Sequence, residues 1–264
     1  MAKLSVCICM VHRDLDFVDR IPKVKEAGYG AFEFWGWSGV DLDGVLAAKE
    51  ATGLELAALC VDTADPAVRE GKAKGQLVNP ACREAFVAAC HETIEVARRL
   101  GTRTIIATVG NEQEGMTRDE QHQSIIDGMA AVASAGEEAG VTFVLEPLNT
   151  IVDHGGYYLW SSHEGFDICR AVASPAVKLL FDIYHQQIME GNLIQNITEN
   201  IDLIGHFHSA DVPGRHEFGT GEINYTNVLK AIDQAGYQGY VGLEYRPTGD
   251  AAESLARIRE IVEA

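Results

Sequence analysis

The sequence predicts an α/β fold, a (β/α)8 TIM barrel that takes up residues 1–264 as a single domain. Short apolar runs alternate with longer amphipathic segments from end to end, as strands and helices do in such a barrel. Eight of these pairs match the chain length, since α/β barrels commonly need about 250 residues. The competing doubly wound sheet would place a glycine-rich nucleotide loop after the first strand, and residues 10–14 contain no glycine.

Eight apolar runs have the length of buried strands, and together they form the predicted barrel wall. The first run leads directly into charged residues without a small-residue cleavage pattern, which favours a strand over a secretory leader. The predicted strands are Leu4–Met10, Ala31–Trp35, Leu54–Val61, Arg103–Val109, Thr142–Leu148, Val177–Ile183, Leu203–Ser209 and Tyr240–Tyr245.

Helical patterns fill the intervals between these strands. Four of them end at a nearby glycine, a residue that tolerates the left-handed conformation found at helix ends. The longest interval, residues 62–80, contains two proline turns and is predicted to be a βα loop on the side of the barrel where active sites lie. The predicted helices are Leu15–Ala27, Asp43–Ala51, Ala81–Leu100, Arg118–Ala139, His163–Val172, Leu193–Asn200, Tyr225–Ala235 and Ala251–Val262.

The charge balance is strongly acidic, with 21 Lys and Arg against 39 Asp and Glu and a net charge of −18. Such a surface disfavours nucleic-acid phosphates and anionic membranes as partners. No apolar stretch approaches the ~20 residues of a membrane helix. The six cysteines form no CxxC pair and are expected to be reduced thiols. We therefore expect a cytoplasmic protein with a small-molecule substrate, no nucleic-acid partner and no membrane partner; a homo-oligomer is left open.

The alternation of side chains along a strand predicts which residues of the last four strands face the barrel interior. The more apolar set of each strand should pack on the helices, and the other set should point inward. The inward sets are Thr142, Val144 and Glu146; Lys178, Leu180 and Asp182; Ile204, His206 and His208; and Tyr240, Gly242 and Glu244. Near the C-terminal mouth the last polar members of these sets should meet, and they are Glu146, Asp182, His208 and Glu244.

Three carboxylates and one imidazole at one point predict a site for one divalent metal ion. Buried carboxylates cost several kcal/mol each unless a positive charge joins them. Oxygen donors with one imidazole suit Mn²⁺, Mg²⁺ or Co²⁺, whereas a site richer in histidine or cysteine would suit zinc. Taken singly, each carboxylate could be satisfied by lysine, arginine or backbone N–H groups, and His208 could be a hydrogen-bonded core residue. Their joint placement on four successive strands favours the metal.

Six segments of the C-terminal half carry a resemblance to known proteins: Leu145–Asn149, Phe181–Gln187, Ile204–His208, Pro213–Glu217, Gly219–Tyr225 and Gly239–Tyr245. In their order and spacing they resemble the xylose isomerase-like barrels, and among these the hydroxypyruvate isomerase family and its ketose 3-epimerase relatives. The resemblance implies that the metal ligands are Glu146, Asp182, His208 and Glu244. It also implies that Glu146 and Glu244 are the two proton-transfer bases.

The resemblance implies a metal-dependent aldose–ketose isomerase. The expected reaction converts hydroxypyruvate to tartronate semialdehyde, by proton transfer through a metal-stabilised cis-enediolate with two glutamate bases. The alternative is a ketose 3-epimerase, or another small-sugar or oxo-acid isomerase with the same metal site. One position departs from the hydroxypyruvate isomerases: His208 stands where those most similar to the bacterial enzyme carry glutamine, and histidine there is epimerase-like.

One residue after the sixth strand and one after the seventh are candidates for binding the substrate. His185, expected in a loop after Asp182, would by the resemblance contact a substrate oxygen; the alternative is a solvent-exposed loop histidine. Arg215 would line the pocket and clamp a substrate carboxylate with its planar guanidinium. The alternative for Arg215 is a surface ion pair with Glu217 or Glu222.

Two residues of the second strand are further candidates for the substrate site. Glu33 points inward, where it would bind a substrate hydroxyl or belong to a structural hydrogen-bond network. Trp35 would wall the pocket and exclude water, or pack in the core. Two alternatives from other functional classes are an endonuclease IV-like DNA repair barrel, which the acidic charge disfavours, and a non-catalytic sugar-binding barrel.

Overall fold

Nine parallel strands form one sheet in the computed structural model, which describes residues 2–263. The strands are β1 (Lys3–Cys7), β2 (Ala31–Glu33), β3 (Glu55–Leu56), β4 (Leu59–Cys60), β5 (Thr104–Ala107), β6 (Thr142–Leu145), β7 (Val177–Asp182), β8 (Ile204–Ser209) and β9 (Tyr240–Leu243). The order of neighbours is β3-β2-β1-β9-β8-β7-β6-β5-β4. Because β3 and β4, at the two ends of this order, follow each other in the chain, the sheet curls into a barrel. The predicted fold class is confirmed.

The predicted third strand, Leu54–Val61, is present as two short strands because each half pairs with a different neighbour. β3 pairs with β2, and β4 pairs with β5. Between and beyond them, the Ala57 N–H donates to the Phe32 carbonyl at 2.8 Å, and the Val61 N–H donates to the Ile106 carbonyl at 2.8 Å. One continuous segment therefore joins both edges of the sheet and closes the barrel.

The helices of residues 2–263 surround the barrel. They are α1 (Arg20–Glu26), α2 (Leu42–Thr52), α3 (Pro66–Ala73), α4 (Arg83–Leu100), α5 (Arg118–Ala139), α6 (Ser162–Val172), α7 (Ile183–Met189), α8 (Leu193–Glu199), α9 (Tyr225–Gln234) and α10 (Ala251–Glu263). α1 is shorter than the predicted Leu15–Ala27, because Pro22 lacks an N–H and fits only in the first turn of a helix. None of these helices is long and apolar enough to cross a membrane.

Two helices were not predicted from the sequence. The interval of residues 62–80, expected to be a loop, contains α3, whose start carries an Asp65 side-chain cap and Pro66 in the first turn. α7 follows β7 directly, because the Asp182 carboxylate accepts the backbone N–H groups of its first turn at 2.8 and 3.2 Å. His185 therefore lies on a helix and not in the predicted loop.

Two apolar layers hold the barrel together. The larger layer lies between the sheet and the helices and includes Phe143, Leu179 and Phe207. A small separate cluster fills the barrel interior, and its members are Ala58, Ile106, Val144 and Leu180. The strand alternation predicted these orientations, because neighbours along a strand belong to different layers.

Ile204 is an exception to the predicted orientations. The register between β7 and β8 shifts between Leu179 and Leu180, so that Ile204 lies opposite Leu179 and packs in the outer layer. After the shift His206 and His208 pair with Leu180 and Asp182 at the interior. The irregularity therefore leaves the polar end of β8 in its predicted place.

Candidate metal-binding active site

Four potential metal ligands converge at the C-terminal mouth of the barrel. Asp182 ends β7 and His208 lies next to the end of β8, while Glu146 and Glu244 directly follow β6 and β9. All four side chains are buried, and their ligand atoms lie within 4.8 Å of one another. The four residues predicted from strand alternation are thus brought together; their role as ligands stays a prediction.

The dimensions of this cluster fit one divalent cation. Two ligands of the same ion lie at most about 5 Å apart, twice a metal–oxygen distance of about 2.0–2.6 Å. Separations of no more than 4.8 Å satisfy this limit for every pair. Three carboxylates with one imidazole are also a donor set that Mn²⁺, Mg²⁺ or Co²⁺ accept.

The electrostatics of the cluster favour the arrival of positive charge. Burial raises the pKa of Glu146 and raises the pKa of Asp182 to about 6. Burial alone would lower the pKa of His208, but the Glu244 and Glu33 carboxylates raise it well above its usual value. The His208 Nδ1 lies 3.1 Å from Glu146 Oε1 and 3.6 Å from Glu244 Oε2. These carboxylates are therefore close enough together to stabilise any cation among them.

Glu244 has two further donors, and both come from predicted site residues. The Arg215 guanidinium forms an ion pair with one carboxylate oxygen, and the Trp35 Nε1–H donates to the other at 2.6 Å. The alternative surface ion pair of Arg215 with Glu217 or Glu222 is wrong, because the guanidinium turns inward to Glu244. Among residues 2–263, Arg215 is the only lysine or arginine that forms an ion pair with any of the four potential ligands.

A buried hydrogen-bond network lies beneath His208. Glu33, only 2% exposed, accepts hydrogen bonds from the Ser5 hydroxyl at 2.8 Å and from His206 Nε2 at 3.0 Å. Its other oxygen lies 3.0 Å from His208 Nε2. Gly242 on β9 leaves room for this carboxylate, since a Cβ at that position would collide with it. Glu33 therefore belongs to a structural hydrogen-bond network, the second of its two predicted roles, and its contact with a substrate hydroxyl stays a prediction.

His185 is fully buried and presents one ring nitrogen to the cluster. The backbone N–H and the side-chain amide of Asn149 lie 3.1 and 2.7 Å from its Nδ1, which therefore accepts and leaves the proton on Nε2. Nε2 has no hydrogen-bond partner within residues 2–263 and lies 3.5 Å from Asp182 Oδ2. Burial lowers the pKa of His185 well below its usual value, so the ring is neutral. The alternative of an exposed histidine is wrong.

A cavity of about 390 Å³ opens on Glu146 and Glu244 and is also lined by Trp35 and Arg215. Its wall also includes residues that the sequence pattern did not indicate, and one of them is Arg246. The one sequence feature that could have indicated Arg246 is its position two residues after Glu244, beyond the end of β9. Other unpredicted lining residues, Asp153 and His154, come from a loop whose path no periodicity could indicate.

Comparison with protein families and curated proteins gives consistent matches along the chain. A family model described as "Xylose isomerase-like TIM barrel" matches residues 21–261. The hydroxypyruvate isomerase of Escherichia coli (strain K12) is 30% identical to this chain, over 94% of the chain and 94% of its own length. The 2-oxo-tetronate isomerase of Cupriavidus necator is also 30% identical, over 98% of both proteins.

Solved structures give the same fold. A crystal structure described as an AP endonuclease, family 2, from Brucella melitensis matches with a TM-score of 0.90 and 27% identity, over 98% of this chain and 99% of that chain. A structure of L-ribulose 3-epimerase matches with a TM-score of 0.81 and 21% identity, over 100% of this chain and 94% of that chain. The second likeness bears on the fold alone.

Proposed function

The chain belongs to the xylose isomerase-like TIM barrel family and is an isomerase, and from this premise we propose that it is a divalent-metal-dependent aldose–ketose isomerase that converts hydroxypyruvate to tartronate semialdehyde. The observation that carries the proposal is the convergence of four potential ligands within 4.8 Å at the barrel mouth. The names of the two isomerase relatives support a small oxo acid as the substrate.

The charge of the site supports a divalent cation. Three carboxylates, one divalent cation and the Arg215 guanidinium have no net charge together when His208 is neutral. In the proposal Glu146, Asp182, His208 and Glu244 hold the cation, His208 through Nδ1. When bound, the cation would supply a Lewis acid that stabilises the oxyanion formed when a proton leaves the carbon next to the carbonyl group.

Glu146 and Glu244 move the proton in the proposed mechanism. They follow β6 and β9, which are separated in the barrel wall by β7 and β8, so they approach the cavity from different directions. One carboxylate takes a proton from C3 of hydroxypyruvate, and the other, in its protonated form, gives one to C2. The C3 hydroxyl loses its proton and the C2 oxygen gains one, so C3 is oxidised as C2 is reduced and no external electron acceptor is needed. The His185 Nε2–H donates a hydrogen bond to a substrate oxygen.

The test is incubation of the purified protein with Mn²⁺ and hydroxypyruvate, with an EDTA-treated sample as the control and NMR detection of tartronate semialdehyde. Glu146→Gln and Glu244→Gln are each expected to lower kcat by about 10²–10⁴-fold, the usual contribution of a positioned acid or base. Wild-type product no higher than in the EDTA control would eliminate this substrate. A kcat within about threefold of wild type in either variant would eliminate the two-base assignment.

A ketose 3-epimerase is the second candidate, because two carboxylates on different sides of a cavity also allow inversion at one carbon and because His208 is the epimerase-like residue. The two candidates differ in where solvent hydrogen enters the product. Incubation in D₂O with D-fructose or D-tagatose would place deuterium at C3 for an epimerase. Unlabelled ketose together with labelled tartronate semialdehyde from hydroxypyruvate would favour the isomerase.

Neither alternative from another functional class has support from the charge and cavity of this chain. A DNA-directed enzyme needs positive surface against the phosphates, whereas this chain has a net charge of −18. A non-catalytic sugar-binding barrel would have no use for the buried carboxylates at the cavity wall, which cost stability unless a cation joins them.

A further inference from the structure

A second arginine at the cavity wall has an unpaired guanidinium. Arg246 lines the same cavity as Glu146, Glu244 and Arg215. Its backbone is fixed, because its N–H donates to the Arg215 carbonyl at 2.8 Å and its carbonyl lies 2.7 Å from His216 Nδ1. Within residues 2–263, however, its side chain forms no hydrogen bond and no ion pair. A fixed backbone thus holds a free positive charge at the edge of the proposed reaction site.

Arg215 differs from Arg246 in this respect. Its guanidinium forms an ion pair with the Glu244 carboxylate, and its Nε lies 3.4 Å from the Glu244 carbonyl oxygen. It also lies over the Tyr184 ring, 5.2 Å from the ring centroid. The charge of Arg215 is therefore offset by a carboxylate of the protein, while that of Arg246 is available to an anion entering the cavity.

We propose that Arg246 binds the carboxylate of the substrate, and that the chain therefore acts on 2-oxo acids with a neighbouring hydroxyl group rather than on neutral ketoses. This inference rests on the isomerase function proposed above. In such an acid the carboxylate is bonded directly to the carbonyl carbon, so its binding group must lie at the wall of the reaction cavity, where Arg246 is. A guanidinium matches the two oxygens of a carboxylate with two parallel N–H donors, and a neutral ketose has no group that needs this charge.

A matched control is available on the same face of the barrel. Arg13, like Arg246, is exposed and forms no side-chain ion pair within the described chain. It lines a neighbouring cavity, however, whose wall does not include Glu146 or Glu244. Arg246 borders both cavities. Arg13→Gln and Arg246→Gln therefore remove the same charge from the same face, and only the second removes it from the proposed reaction site.

The experiment measures two quantities for the Mn²⁺-loaded wild type, Arg246→Gln, Arg246→Lys and Arg13→Gln. The first is the KM and kcat for hydroxypyruvate. The second is the Kd of D-glycerate, measured by calorimetric titration. D-glycerate is a related acid with a hydroxyl group at C2 in place of the ketone. Arg246→Gln is expected to raise both KM and Kd by roughly tenfold or more, the effect of losing a charge-assisted hydrogen bond, while kcat changes little. Arg246→Lys should recover part of the loss because it keeps the charge without the planar donors. Arg13→Gln should stay within about twofold of wild type.

The glycerate titration separates failure of this inference from failure of the proposed function. If the wild type does not convert hydroxypyruvate but binds glycerate through Arg246, the proposed reaction is wrong and the carboxylate site is right. A wild type that does not bind glycerate overturns the carboxylate site. The carboxylate site is also overturned if Arg246→Gln binds glycerate as tightly as wild type. It is overturned as well if Arg13→Gln loses as much glycerate affinity as Arg246→Gln. Equal melting temperature and Mn²⁺ content in all variants establish that the fold and the metal site are intact.

Discussion

Replacing Glu33 by glutamine should weaken metal binding without touching any of the four potential ligands. The glutamine oxygen can still accept the hydrogen bonds of Ser5 and His206, so the new amide group faces His208 Nε2, which lies 3.0 Å from Glu33 Oε1. An amide N–H needs an acceptor, and Nε2 then accepts only if the ring proton moves to Nδ1. Nδ1 is the nitrogen directed at Glu146, and once protonated it cannot bind a cation.

The expected size of this effect follows from the proposed roles of His208 as a metal ligand and of Glu33 as its partner. Loss of such a partner typically costs about 10–100-fold in metal affinity. At about 1.4 kcal/mol for each tenfold change, this is about 1.4–2.8 kcal/mol. Ser5→Ala is the matched control, because it removes one hydrogen bond to the same carboxylate and leaves the oxygen that faces His208 in place. That variant should bind Mn²⁺ within about threefold of wild type.

The assay is calorimetric titration of Mn²⁺ into the metal-free protein at pH 8. Circular dichroism and the melting temperature without metal control for the fold. If Glu33→Gln binds Mn²⁺ within about twofold of wild type, Glu33 does not set the proton position on His208, and the explanation of the network beneath the site is wrong. An equal loss in Ser5→Ala would instead indicate a general loosening of the network.

Three other perturbations have definite expected outcomes. Asp182→Asn keeps the oxygen that caps α7 but removes the charge of a potential ligand, so it should fold and lose the Mn²⁺-induced rise in melting temperature, which in wild type at 100 Kd corresponds to about 2.7 kcal/mol. His185→Ala removes the neutral Nε2–H donor beside Asp182, and kcat should fall by about 10²-fold while Mn²⁺ content stays the same; an unchanged kcat would contradict its proposed contact with the substrate. Burial alone would raise the pKa of Glu164, but hydrogen bonds from His122, Tyr158 and Arg118 lower it. The ionised carboxylate therefore stabilises the fold fully above the unfolded pKa of 4.5. This stabilisation is lost as the pH falls through the lower pKa of the folded state. Glu164→Gln should therefore lower the melting temperature by a few °C at pH 7 and little near pH 3; a loss independent of pH would contradict the ionic contribution.

The barrel and the four-residue cluster could be predicted because both follow from short-range rules. Alternation along a strand depends only on neighbouring residues, and it predicts that the side chains of Glu146, Asp182 and Glu244 face the barrel interior. Parallel strands in a closed barrel then bring those ends to one mouth. No knowledge of loop paths was needed for either step.

Other features depend on pairings that the sequence pattern does not contain. The displaced Ile204 results from a register shift between two strands, which is a property of the pair. The sequence pattern does not indicate α7, because Asp182 has two roles there: it is a potential ligand and it also caps the helix N-terminus. The contact of Arg215 with Glu244 and the free side chain of Arg246 depend on how the loops at the barrel mouth turn.

An anomalous diffraction map from crystals of this protein grown with Mn²⁺ would test the proposed metal site directly. We expect one Mn²⁺ ion per chain, within about 2.0–2.6 Å of Glu146, Asp182, His208 Nδ1 and Glu244. A map without a peak among these four side chains would contradict it. So would a peak among Glu33, His206 and His208, the other group of side chains close enough to share an ion in the described part of the chain.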